Sequence, residues 1–223
     1  MIDFHTHILP NMDDGSESVK TSRQLLNILK SEGVKLVCLT SHFYPMQESL
    51  SDFISRRNEA YKSLDYSDLD LRLGAEVHYY RGLSTSEELA CMCIEGTNII
   101  LIELSFNMDI NDNVINELVN IQSKGYKVLL AHIERYNLSD ETIIKLHSKG
   151  ILLQANTEYF EGFFNSRRAI RMLKDGLIDV LGSDTHDLDK RKPNYEKTMN
   201  LISKKLGEDF TREFIEKTYK IIG

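Results

Sequence analysis

What this 223-residue chain lacks narrows its function before any motif is read. No apolar run approaches the roughly 20 residues that cross a bilayer, and the opening has neither a basic stretch nor a long apolar segment. Membrane insertion and a secretory leader are therefore not expected. An excess of basic residues is missing too. The net charge is −7, which argues against a nucleic-acid groove or an anionic membrane as partner. An anionic substrate stays open, because bound cations would reverse the local sign. Cysteine is scarce: Cys38, Cys91 and Cys93 lack the spacing of a thiolate zinc site. Cys38 lies inside an apolar run and reads as a small hydrophobe, and the other two read as structural thiols. Linkers and low-complexity segments are absent as well, so residues 1–223 are expected to form one domain. A reduced, cytoplasmic enzyme with one sizeable core is the expectation.

What is present alternates. Ser16-Glu17-Ser18 can cap a helix striped by Val19, Leu25, Leu26, Ile28 and Leu29, which Gly33 stops. Strand-like runs cover 35–41, 69–75, 98–102, 127–131, 151–155 and 178–182, following an apolar opening strand. Between them lie helical patterns over about 47–64, from Leu83, over 110–124, 139–149 and 166–175, then 194–206 and 208–221. Strands alternating with helices pair in parallel. Seven such units predict a (β/α)7 TIM-like barrel, distorted and closed or nearly closed.

The strand ends carry the chemistry. The opening strand leads into His5-Thr-His7, whose alternate residues point to one side, and Asp13-Asp14-Gly15 makes a turn that can bring a carboxylate back. Later strands end at His42, Glu76, Glu103 and His132, and the last is followed by Asp184 and His186. In a parallel barrel these ends meet on the face where chemistry sits. Together with Asp14 they make nine nitrogen or oxygen ligands, too many for one ion. Imidazole mixed with carboxylate suits zinc, manganese or iron.

The motifs His5-Thr-His7, Leu9-Pro10 with Asp13-Asp14-Gly15, Gly74-Ala-Glu76, Ile102-Glu103-Leu-Ser105, Ala131-His132-Ile-Glu-Arg135-Tyr136 and Gly182-Ser-Asp184-Thr-His186 resemble the polymerase-and-histidinol-phosphatase (PHP) family. Within it they resemble bacterial manganese-dependent protein-tyrosine phosphatases of capsule and exopolysaccharide clusters. The resemblance runs from residue 3 to about 193. It implies two or three Mn2+ ions, with Zn2+ or Fe as alternatives. His5, His7 and Asp184 would hold the first, with Glu76 bridging to a second held by Glu103 and His132. Asp14, His42 and His186 would hold the third.

Arg135 and Arg191 match arginines that the family sets around substrate phosphate, and a third ion, or an acid such as His42 or His186, can assist the leaving phenolate. Ser41 and Lys192 stand where the family often has proline. The implied reaction is attack on phosphotyrosine by metal-bound hydroxide, on a phosphoprotein such as the tail of a capsular tyrosine autokinase. No Cys-x5-Arg is present, so a cysteine nucleophile is excluded. Two rivals are a small-molecule phosphomonoesterase such as a histidinol-phosphatase, and a non-catalytic metal-binding module.

Other polar and aromatic side chains carry weaker signals. Asp13 reads as a turn residue, His78 as rim or packing, and His147 as a helix-end surface histidine. Asn156 and Glu158 can line the mouth. Tyr79, Tyr80, Phe160, Phe163 and Phe164 can form an apolar rim or pack in the core.

Overall fold

The computed structural model describes residues 1–223, the Phe163 side chain excepted, so its place in an apolar rim lies outside the described residues. Nine strands occur in chain order: β1 (Ile2–Thr6), β2 (Leu36–Leu39), β3 (His42–Phe43), β4 (Asp70–Leu73), β5 (Glu76–His78), β6 (Ile99–Glu103), β7 (Lys127–Leu130), β8 (Leu152–Asn156) and β9 (Val180–Gly182). Eight α-helices accompany them: α1 (Val19–Ser31), α2 (Leu50–Leu64), α3 (Leu89–Met92), α4 (Asp112–Ser123), α5 (Asp140–Ser148), α6 (Phe163–Lys174), α7 (Tyr195–Leu206) and α8 (Glu208–Ile222). Ser18, Asn111 and Ser139 cap α1, α4 and α5 with side-chain oxygens, which satisfies amides the helices cannot.

All pairings are parallel. One sheet runs β1-β2-β4 and the other β3-β5-β6-β7-β8-β9. The sheet curls until the segment after β9 meets β1: the Asp184 amide donates to the His5 carbonyl (2.8 Å) and the His7 amide to the Thr185 carbonyl (3.0 Å). The result is a mixed α/β fold with a curled parallel sheet, consistent with a distorted TIM-like barrel.

Nine strands stand where seven were expected. Thr40-Ser41 separates β2 from β3, and Gly74-Ala75 separates β4 from β5. Across these breaks the Gly74 amide donates to the Leu39 carbonyl and the Glu76 amide to the Thr40 carbonyl, so each interruption is a kink and not a crossover. The segment from Leu83 also differs. It forms a 3-10 turn over Leu83–Thr85 and the four-residue α3, because Ser86 and Thr85 draw neighbouring backbone groups into local bonds.

The inside of the curl holds Ile2, Phe4, Leu36, Cys38, Ile99, Leu101, Leu129, Ala131 and Val180, closed below by Ile94 and Ile222. A second, larger apolar layer lies between the outer face of the strands and the helices. The β1–β2 register shifts between Asp3 and Thr6. Such an extra residue re-aims side chains. Ile2 and Phe4 thereby serve the apolar floor while His5 and His7 join the ionisable cluster above it.

Candidate metal centre

His5, His7, Glu76, Glu103, His132, Asp184 and His186 are all buried, His42 is half-buried, and Asp14 is exposed at the mouth. Glu76 lies at the middle. Its Oε2 is 3.2 Å from His5 Nε2, 3.2 Å from His7 Nε2 and 2.9 Å from His42 Nδ1, and its Oε1 is 3.0 Å from His132 Nε2. Glu103 Oε1 lies 3.4 Å from His132, and Asp184 Oδ1 lies 3.7 Å from His5 and 3.4 Å from His7. Asp14 Oδ1 reaches His186 Nε2 at 3.3 Å and His42 Nε2 at 3.7 Å.

Three overlapping groups have atoms placed to share an ion: His5, His7 and Asp184; His42, Glu76 and Glu103; and His7, Asp14, His42 and His186. The first coincides with the expected set. The second contains His42 where His132 was expected, and the third gains His7. His132 stays within reach of both Glu76 and Glu103.

The donors fit divalent cations on a further ground. Glu76 Oε2, His42 Nδ1, His132 Nδ1 and His186 Nε2 are buried without a hydrogen-bond partner among the described residues. Buried polar atoms without partners cost free energy unless something else satisfies them. Neighbouring groups fix which nitrogen faces inward. His5 Nδ1–H donates to Gln154 Oε1 (3.1 Å), His7 Nδ1–H to Asp13 Oδ2 (2.8 Å) and His186 Nδ1–H to the Asp184 carbonyl (2.8 Å). Each Nε2 is left for a ligand, the arrangement of outer partners around metal-binding histidines.

Asp13 thus does more than shape the turn, since it also accepts from the His42 and Gly15 amides. The strand pattern did not single out Gln154. It also accepts the His132 amide (2.7 Å) and donates to Asn156, which donates to Asp184 Oδ2 (2.9 Å). Its only sequence signal is a polar residue inside Ile151-Leu-Leu-Gln-Ala155.

The backbone is bent to the same end. His132 (φ 30°) and Asp184 (φ 51°) occupy the left-handed region, which side-chain-bearing residues seldom adopt and which clusters at functional sites. Gly182 lies against His5, and a Cβ there would come within 2.5 Å of the His5 Cβ. Gly15 abuts the His7 carbonyl just as closely, so neither position admits a side chain without moving a histidine.

Charge in the cluster is balanced by protons. Burial disfavours ionisation of Glu76 and Asp184, yet the surrounding histidines, and for Asp184 both arginines, hold both carboxyls well below the usual range. Burial likewise opposes a charged His7, but Asp13 and Glu76 raise its pKa well above normal. His132, against Glu103 and Glu76, is raised to about 9 despite its burial. His186 moves the other way, lowered by burial and by His7.

Arg135 and Arg191 converge on one carboxylate oxygen, each placing Nη2 2.7 Å from Asp184 Oδ2. Both side chains are about a third exposed, at 31% and 28%. Arg191 also lies 3.6 Å from Asp14. Of the departures, Ser41 is buried in the β2–β3 break and Lys192 is exposed at the rim.

The remaining expectations resolve individually. His78 contacts Glu103 Oε2 (3.2 Å) and Ser105, and so holds that carboxylate. His147, near the end of α5, faces Asp179. Asn156 and Glu158 line a 340 Å³ pocket with Glu134 and Arg135. The aromatic residues divide between core and surface. Phe160 is buried in the core, and Tyr79 and Tyr80 line a separate 650 Å³ groove, where Tyr79 is tied to Glu117. Phe164 is exposed on the first turn of α6, which begins a turn earlier than its pattern predicts. No helix is long and apolar enough to cross a membrane among the described residues.

Sequence comparison decides the family, for residues 1–222 match the model of capsular polysaccharide synthesis proteins CpsB/CapC. The chain belongs to the CpsB/CapC family. Tyrosine-protein phosphatase CpsB of Streptococcus pneumoniae is 31% identical over 100% of the chain and 98% of its own length. Tyrosine-protein phosphatase YwqE of Bacillus subtilis is 25% identical over 94% of the chain and 86% of its own length. A solved structure from the pair YwqE of B. subtilis and CpsB of S. pneumoniae, described as unique metal-dependent tyrosine phosphatases, superposes with a TM-score of 0.86. It is 22% identical and covers 100% of this chain and 94% of that one. The curled-sheet architecture is thus shared across this CpsB/CapC group.

Proposed function

We propose that this CpsB/CapC chain is a metal-dependent protein-tyrosine phosphatase. The observation that carries the reading is the convergence of three overlapping imidazole–carboxylate groups beside two arginines on Asp184. His5, His7, Asp14, His42, Glu76, Glu103, His132, Asp184 and His186 would hold two or three ions. Manganese is the proposed metal, and the site is of PHP type on a seven-stranded barrel in which each kinked pair counts as one strand. Bound divalent ions supply Lewis acidity toward the phosphoryl group and a nucleophilic water at neutral pH.

The chain's own residues do the rest. Arg135 and Arg191 present planar N–H pairs to non-bridging phosphate oxygens, and their shared anchor on Asp184 fixes both before substrate arrives. Asp13, Gln154 and Asn156 hold the histidines and Asp184 in one orientation. Of the two histidines that can assist the leaving phenolate, His42 is the more exposed, at 11% against 2%. His186 is kept neutral and buried, which suits a ligand. The substrate is a phosphotyrosine protein, proposed to be the tail of a bacterial tyrosine autokinase, and the enzyme acts in the cytoplasm.

The test is hydrolysis of a phosphotyrosine peptide and of histidinol phosphate by metal-stripped protein, with manganese added back. Manganese-dependent release from the peptide, lost in His132→Ala, supports the reading. Turnover of histidinol phosphate alone would replace the substrate and keep the site. Metal binding without any turnover would leave a metal-binding module.

A further inference from the structure

We propose that Phe106 is the platform for the substrate's phenyl ring and sets a preference for aryl over alkyl phosphoesters, an inference resting on the phosphatase reading. Phe106 is 52% exposed, although it follows β6 by only three residues and lies beside the candidate ligands. An exposed apolar side chain alone is ordinary, and what sets Phe106 apart is its ring contacts beside the candidate ligands. Its ring centroid is 5.8 Å from that of His132 and 6.4 Å from that of Tyr136. The loop is pinned, because the Leu104 amide donates to Tyr136 Oη (2.9 Å).

The geometry then orders itself around His132. From it the chain turns into Arg135, whose amide donates to the His132 carbonyl (2.9 Å) and whose guanidinium reaches Asp184. Phe106 meets the same imidazole through its ring. An aryl phosphoester carries its ring one oxygen away from phosphorus. A phosphate held at Arg135 and Arg191 therefore puts the ring next to His132, over Phe106. Tyr44 walls the opposite flank, 5.0 Å from the His42 ring and 5.4 Å from the His78 ring. Glu103 lies between the two flanks, in contact with His132, His42 and His78. Beyond Phe106 a 510 Å³ groove lined by Met108, Ile110, Asn137 and Leu138 leads away from the centre, with room for residues beside the phosphotyrosine.

The experiment compares the parent chain, Phe106→Ala and Phe106→Tyr on a phosphotyrosine peptide and on glycerol 2-phosphate, with inorganic phosphate as competitor. The expected result is a KM for the peptide raised about tenfold in Phe106→Ala. The inhibition constant of phosphate, the KM for glycerol 2-phosphate and the metal content should stay as in the parent, and Phe106→Tyr should restore the peptide KM. An unchanged peptide KM in Phe106→Ala overturns the proposal and leaves the phosphatase reading standing. So does a parallel loss of phosphate affinity or metal, which would mean Phe106 acts by supporting His132. A parent chain that hydrolyses neither substrate overturns both readings together.

Discussion

Leu101 and Glu103 stand two positions apart on β6, and they mark two ways of filling the inside of one sheet. Below, Leu101 meets Ile2, Phe4, Leu129 and Val180, and closeness there is favourable at every pair. Above, burial and then the charge of Glu76 oppose ionisation of Glu103, yet His132, His42 and His78 hold its carboxyl below the ordinary value. The floor is complete as it stands. The upper cluster gathers buried carboxylates that only cations can reconcile, and in the ion-free chain the cations are protons on His7 and His132. The same strands therefore give a self-sufficient apolar half and an ionic half that calls for a ligand.

The strongest break in that comparison is to remove the central carboxylate. Glu76→Ala should cut manganese-dependent turnover of a phosphotyrosine peptide by about a thousandfold or more, and added metal should not rescue it. Steady-state kinetics against metal concentration checks this; recovery at high manganese would show that Glu76 is dispensable. Next comes the pair of arginines on Asp184. Arg135→Ala should lose about 100- to 1000-fold in kcat/KM, and Arg135→Lys should not restore it because a point charge lacks the planar fork. A smaller loss is expected one layer out. Gln154→Ala frees His5 and the His132 amide at once, and metal affinity should fall about 10- to 100-fold by titration calorimetry.

How much of this was written in the sequence divides along the same line. Most ionisable residues of the upper half sit where an apolar run stops, and that place is visible in the sequence. His42, Glu76, Glu103 and His132 were legible for that reason. The extra residue in β1 and the kinks at Thr40-Ser41 and Gly74-Ala75 were not, because they depend on which strand lies alongside, and local pattern carries no register. Gln154 was hidden because its role lies in two hydrogen bonds to histidines 149 and 22 positions away. The aromatic residues were ambiguous for a related cause. Aromatic residues serve core and mouth alike, and Phe160 turned inward while Phe106 stayed out.

A gentler probe of the ionic half is pH. The folded pKa of His132, about 9, lies above its ordinary 6.5, so the ion-free protein holds this proton across the neutral range. The proton stabilises the ion-free fold fully below about 6.5, and that contribution fades as pH rises through about 9. A bound ion must displace it. Metal affinity should therefore weaken as pH falls, by up to about tenfold per pH unit for each proton displaced. Melting curves with and without manganese at pH 6 and pH 8.5 would read this as a larger metal-induced rise in Tm at the higher pH. An equal rise at both would mean that binding releases no proton.

The smallest effect on activity is expected from the apolar half, and it sharpens the comparison most. Ile99 is fully buried in the floor, four residues before Glu103 on the same strand. Ile99→Ala removes three carbons from a close-packed cluster and should cost about 2–5 kcal/mol of stability, through lost contacts and the cavity left behind. Because the floor's packing carries no charge, the shortfall is not transmitted as a change in the field at Glu76 or Asp184. Below the melting transition, kcat per folded molecule and metal stoichiometry should match the parent chain while urea or heat unfolds the variant earlier. A fall in kcat without a loss of folded protein would mean that the floor positions the ligands above it, and the two halves would then be one mechanical unit.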